Sequence, residues 1–221
     1  MTCIEFSDEI AQKLPLLELG CIYTEINIKT DDALLHQKIQ DALAQIEEQL
    51  AVNAISALPA IQSSRAAYKA LGKEPSRYRL SAEALLRRIV KGKGLYRVNN
   101  AVDALNLVSA KSGFSIGGYD VDKINGTIRL DVGQSAEPYE AIGRGVLNIE
   151  FLPVFRDDEG AFGSPTSDST RTMVTADTKR FLMLFFNFGK HDFLQKTLED
   201  TVELFENYLE ARHTNVWIEC P

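Results

Sequence analysis

An α+β fold, a mixed β-sheet covered by helices, is what the sequence predicts, and three observations predict it. Phe181 to Phe188 is almost wholly apolar, as in a central strand buried on both faces. Leu19 to Lys29 sets Cys21, Tyr23, Glu25, Asn27 and Lys29 in alternation with Ile22, Ile26 and Ile28, the two-residue period of a strand. His191 to Arg212 instead carries Leu194, Leu198, Val202, Phe205 and Leu209 on one helical face, with Glu199, Glu203, Glu206 and Glu210 outside. With further strands near Thr127 and Val146, these segments are expected to build one sheet in one domain spanning residues 1–221.

In chain order, Cys3 to Phe6 reads as a short strand, and Ser7-Asp8 caps a helix running to about Leu14. After the Leu19 strand, Asp31-Asp32 starts a helix striped by Leu34, Leu35, Ile39, Leu43, Ile46 and Leu50. Residues 1–60 therefore form an added N-terminal β-α-β-α segment in which nothing suggests chemistry. Pro59 to Leu71 is a helix stopped by Gly72, and Ser81 is the expected N-cap of a helix over Ala82 to Lys91. Lys91-Gly92-Lys93-Gly94 breaks that helix into a basic loop, without the length or the final Lys-Ser/Thr of a phosphate-binding P-loop. Val146 to Phe155 is a strand interrupted by Pro153, and Asp157-Asp158-Glu159-Gly160 is a solvated acidic turn that lacks the ligand spacing of a calcium loop. Residues 191–212 form a C-terminal helix, after which Val216 to Glu219 adds an edge strand.

Composition excludes several classes. At 221 residues, 45% apolar and 25% charged, the chain can bury a sizeable core. MTCIEFSDEI has no basic segment followed by an apolar one, so no secretory signal is read there, and no apolar run approaches the roughly 20 residues of a membrane span. Cys3, Cys21 and Cys220 are odd in number and widely spaced, which predicts a reducing cytoplasm, no disulfide framework and no metal site. Net charge is −7, yet Arg65 to Arg97 holds ten bases against two acids. Either these bases pair with acids elsewhere in the fold, or they form a local footprint for phosphates on an otherwise acidic protein.

Two stretches carry the functional signal. In Tyr96 to Leu130, an Asn-Asn pair precedes a helix whose Val102, Leu105, Asn106 and Ser109 share one side, so a carboxamide projects among core residues. Gly117-Gly118 then reads as a side-chain-free turn open to a close approach, Tyr119-Asp120 stands at its exit, and Asn125-Gly126 is a hairpin signal. In Gly163 to Thr175, Ser164, Thr166, Ser167, Ser169, Thr170 and Thr172 surround Asp168 and Arg171. Such a loop can hold a polar ligand or a phosphate, or can satisfy its own backbone. His36, His191 and His213 lie in unrelated segments, which leaves a Ser-His-Asp triad without support.

The run NNAVDALNLV, then Gly113 and GGYDVDKINGTIRL, with SRYRLSAEALLRRI before it and DSTRTMVTADTKRFLMLFF after it, resembles the B3/B4 domain of the phenylalanyl-tRNA synthetase β subunit. The likeness covers residues 75–187, and the whole chain resembles the free-standing B3/B4 proteins. It implies the B3/B4-like editing-domain fold, tRNA or aminoacyl-tRNA as partner, no cofactor and no metal. In that family a pocket holds misattached tyrosine and a positioned water cleaves its ester. The family's pocket asparagine falls on Asn106, but its histidine falls on Gly117 and its glutamate on Leu184.

Two readings stand. The first is a tRNA-binding protein that hydrolyses mischarged aminoacyl-tRNA in trans, with Asp168, Ser169 or Thr170 orienting water. Asn106, Gly117, Gly118, Tyr119, Thr166, Ser167, Arg171 and Thr172 would bind the ligand, and Arg77, Arg79, Arg87, Arg88, Lys91 and Lys93 the RNA. The alternative is a non-catalytic module for tRNA or a small amino-acid-like ligand; an enzyme acting on a small soluble substrate is a more remote one.

Overall fold

The computed structural model describes residues 3–221, so that Met1 and Thr2, the first two residues of the MTCIEFSDEI stretch, lie outside it. The elements are β1 (Ile4–Phe6), α1 (Asp8–Lys13), β2 (Glu18–Glu25), α2 (Ala33–Gln49), α3 (Pro59–Leu71), α4 (Ser81–Ile89), α5 (Asn100–Ser112), β3 (Ser115–Asp120), β4 (Ile128–Val132), β5 (Glu140–Ala141), β6 (Gly145–Val146), β7 (Pro153–Asp157), β8 (Gly160–Gly163), β9 (Arg180–Asn187), α6 (Leu194–Leu209) and β10 (Arg212–Glu219). The fold is α+β. Where the periodicity predicts one sheet, the strands divide between two four-stranded sheets, ordered β1-β4-β7-β8 and β10-β2-β9-β3, with β5 and β6 as a separate ribbon. The first sheet is mixed, since β1 runs parallel to β4 and the other pairs are antiparallel.

The apolar run of β9 explains the layering. Phe181, Met183 and Phe185 point into a core shared with α2, α4, α5 and α6. Leu182, Leu184 and Phe186 point the other way, into a second core with Phe155 and Phe162 of the opposing sheet. Burial on both faces is what such a sequence requires. The N-terminal segment is integral to this arrangement, because β2 lies between β9 and β10 and β1 forms the edge of the other sheet.

Caps and turns set the joints. The side chains of Ser7, Asp32 and Asn99 accept from the backbone N–H groups of Ile10, Leu35 and Val102. Asn100 then ties α5 to the end of β2: its Oδ1 accepts from Lys29 N at 2.9 Å and its Nδ2 donates to Asn27 O at 2.9 Å. β2 ends at Glu25 although the alternation runs on to Lys29, because both neighbouring strands end opposite it, at Arg180 of β9 and Arg212 of β10, and Asn27 N donates instead to Leu209 O. Gly72 ends α3 in the left-handed region, at φ 98°.

Four local expectations fail for identifiable reasons. Asn125-Gly126 makes no hairpin, because β3 pairs with β9 while β4 pairs with β1 and β7; the turn carries the chain from one sheet to the other. Gly117-Gly118 lies inside β3 and is not a turn. Ser81 is the first residue of α4 and not its side-chain cap; its N–H donates to Pro165 O at 2.8 Å. The strand expected over Val146 to Phe155 is divided: Val146 ends the two-residue β6, and β7 begins only at Pro153, whose missing N–H is tolerated at a strand start.

Candidate functional site

A cavity of about 710 Å³ opens between α4, α5, the chain over residues 91–98, the loops at 142–144 and 166–168, and the face of β3 and β9 that carries Gly118 and Phe181. Leu85, Leu105, Ile116, Met173 and Phe181 give it apolar walls, and Asn106 projects among them from the middle of α5. Gly118 makes room for this packing. A Cβ there would meet Phe181 Cζ at 3.0 Å and overlap the Leu105 side chain. The two informative stretches of sequence therefore face one hollow.

The lining is electrically lopsided, with Arg79, Arg87, Arg88, Lys91, Lys93 and Arg144 as its bases and Asp168 as its single acid. Part of the basic run is internally paired. Arg65 and Arg87 each donate to buried Glu83 at 2.9 Å, Arg97 donates to Asp31 at 2.9 Å, and Lys73 Nζ donates to the carbonyls of Asn148 and Glu150. Arg79, Lys91 and Lys93 are exposed at the cavity, while Arg77 is exposed but outside its lining.

Asp168 combines a half-buried position with specific partners. Its Oδ1 accepts from the Tyr119 hydroxyl at 2.8 Å, and its Oδ2 accepts a longer bond, 3.4 Å, from Gly118 N. Burial pushes the carboxyl up to about 7, with the Tyr119, Gly118 and Ser164 hydrogen bonds pulling against that rise. The Tyr119 phenol is itself pushed well above its ordinary value by burial and by Asp168, so it stays a donor. Each carboxylate oxygen has lone pairs beyond those engaged, leaving capacity to hold a water. A carboxyl balanced between its two states near neutrality, inside a cavity, is suited to taking up and returning a proton.

Several candidates from the sequence stand elsewhere. Gly117 and Tyr119 lie on the opposite face of β3 from Gly118. The Tyr119 ring packs in the second core, and its hydroxyl sits where Cβ atoms on Gly117 and Gly163 would be. Gly117 and Leu184 are cross-strand partners, and Leu184 is fully buried on that far face, so neither plugs the cavity nor lines it. Arg171 is turned away to clamp the acidic turn, its Nη2 2.7 Å from Asp157 Oδ1 and its Nη1 3.0 Å from Asp157 Oδ2. That turn is thus not simply solvated, for the Asp157 side chain is buried. Burial works to raise its carboxyl, but Arg171 and the N–H groups of Asn125 and Glu159 hold it below its ordinary value.

The hydroxyl loop mostly satisfies itself. Ser164 Oγ accepts from Thr166 N and Ser167 N and donates to Ser167 O. Ser169 Oγ accepts from Arg171 N, and Tyr68 and Thr166 share a hydrogen bond at 2.8 Å. Thr166, Ser167 and Asp168 reach the cavity lining; Ser169, Thr170 and Thr172 do not. Among the lining residues that escape the sequence reading are Tyr96 and Arg144. Tyr96 opens an informative stretch but has no periodicity to mark it, and Arg144 is a lone base in a loop. Among the described residues no cluster of His, Cys, Asp and Glu is placed to hold a metal ion, and no helix is long and apolar enough to cross a membrane.

Residues 63–207 match the family described as the B3/4 domain. Among solved structures, the chain is similar to an N-terminal fragment of the phenylalanyl-tRNA synthetase β-subunit from Pyrococcus horikoshii, at 14% identity and a TM-score of 0.46, covering 96% of this chain and 49% of that one. The chain thus spans about half the length of that fragment. No curated protein matches it.

Proposed function

The chain belongs to the B3/4 domain family, and from that premise we propose that it binds the charged 3′ end of a tRNA and hydrolyses the ester joining amino acid to ribose. One observation carries the reading: six bases line a hollow whose single acid is a carboxyl poised near neutrality. The exposed bases attract phosphates, the apolar walls receive an amino-acid side chain, and Asn106 offers a carboxamide N–H to the ester carbonyl. Ionised Asp168 orients a water and takes its proton as the water oxygen attacks the carbonyl carbon. The bond from that carbon to the ribose oxygen then breaks, and the proton passes to the ribose oxygen, releasing a free amino acid and an uncharged 3′ end.

The test is decay of a panel of mischarged aminoacyl-tRNAs with and without the purified protein. At least one species is expected to decay faster with wild-type protein, and D168N to slow it roughly 10²- to 10⁴-fold at unchanged tRNA affinity. Survival of every species as long as in buffer would sink hydrolysis. Binding without chemistry has one observation of its own, since both oxygens of Asp168 already accept a hydrogen bond. On that reading tRNA binds and nothing is cleaved.

A further inference from the structure

Tyr96 is a large aromatic left 58% exposed on the rim of the cavity, and Val98, two residues on, is 54% exposed beside the same opening. The Arg88 guanidinium carbon lies 4.0 Å from the centroid of the Tyr96 ring. Arg88 is thus committed to that ring, with its Nε buried and unpartnered, and is not a free phosphate contact like Lys91 and Lys93. A guanidinium on one side of a tyrosine stiffens the ring and leaves the rest of its exposed surface for another planar group. The exposed ring and Val98 are apolar, whereas Lys91 and Lys93 line the same opening. An occupant that meets both at this one opening presents a π-face together with negative charge, which describes an unpaired nucleobase on its phosphate.

We infer that Tyr96, backed by Arg88 and flanked by Val98, is a stacking shelf for an unpaired nucleobase at the mouth of the cavity. This deepens the function proposed above and rests on it, because it makes the single-stranded end, and not a duplex, the part of the RNA that the protein grips.

The probe is a short single-stranded oligoribonucleotide ending in 2-aminopurine, whose fluorescence falls when the base stacks, titrated against wild type, Y96F and Y96A. Wild type and Y96F are expected to bind it and quench it alike. Y96A is expected to lose the quench and to bind roughly 5- to 150-fold more weakly, with the same dependence of affinity on salt, since no phosphate contact is removed. Tyr96 is exposed, so Y96A is expected to unfold at the wild-type temperature. A Y96A protein that quenches and binds as wild type does overturns the shelf while leaving RNA binding in place. A wild-type protein that binds no oligonucleotide overturns both the shelf and the function it rests on. Equal loss of affinity in Y96A for a blunt duplex of the same length, or tighter binding to anionic lipid vesicles than to the oligonucleotide, also overturns the shelf.

Discussion

Replacing Asp168 by asparagine tests the site through stability alone, before any substrate is known. In the unfolded chain this carboxyl ionises near its ordinary value of 3.8, whereas in the fold burial raises it to about 7. Between those two values the folded protein keeps a proton that the unfolded chain has released. Stability is therefore lost as pH rises through this window, and the loss is complete above the folded value. From pH 5 to pH 8 the window spans about two pKa units, worth at most about 2–3 kcal/mol at 1.36 kcal/mol per unit. The carboxamide of D168N has no proton to lose. Its carbonyl still accepts from Tyr119, and the bond that the substitution removes, from Gly118 N, is already contained in the folded value of about 7. Urea unfolding of both proteins at pH 5 and pH 8 gives a double difference in which every other titration cancels. D168N is expected to gain on wild type by about 2 kcal/mol over that interval. Stability curves that stay parallel from pH 5 to pH 8 would refute a carboxyl poised near neutrality, and with it the proposed base.

Other perturbations separate structure from function. Y119F removes a hydrogen bond that lowers the Asp168 pKa, so the rising limb of the pH–rate profile is expected to move to higher pH; an unmoved limb would uncouple the phenol from the chemistry. Neutralising Arg79, Lys91 and Lys93 together is expected to lower the slope of log affinity for single-stranded RNA against log salt by about 2, at about 0.7 per phosphate contact; equilibrium binding at several salt concentrations reads it. R171A strips the partner from buried Asp157 and is expected to cost about 3–5 kcal/mol in urea unfolding, while the RNA affinity of the folded fraction stays put. G117A forces a Cβ into the space of the Tyr119 hydroxyl and is expected to lower the melting temperature by several degrees, the shift produced by about 1–3 kcal/mol of overpacking.

How far the sequence discloses this molecule depends on the range of each signal. Short-range rules succeed at Ser7, Asp32, Asn99 and Gly72, because a cap needs only neighbours three or four residues away. The double-faced burial of β9 is equally plain, as eight residues state it by themselves. Asn125-Gly126 misleads because a tight turn specifies a reversal and says nothing about which strands will pair; Ile128 to Leu130 is taken by the distant Ile4 to Phe6. Arg171 misleads in the same way. A base among hydroxyls looks available until Asp157, fourteen residues earlier, is folded against it.

The paired glycines show where a family likeness stops short of a site. Period-two geometry sends adjacent strand residues to opposite faces, so only one of Gly117 and Gly118 can open onto the cavity. Gly118 does, admitting Leu105 and Phe181 to its wall. Gly117 faces the second core, where the Tyr119 hydroxyl fills the space a side chain would need on its way to Asp168. A histidine at position 117 would displace that hydroxyl and leave Asp168 without its closest donor. The bare position 117 and the carboxyl held near neutrality are therefore two consequences of one arrangement. Placing at this position the histidine that the sequence resemblance implies, with G117H, is expected to move the rising limb of the pH–rate profile to higher pH, as Y119F does, and in addition to destabilise the fold.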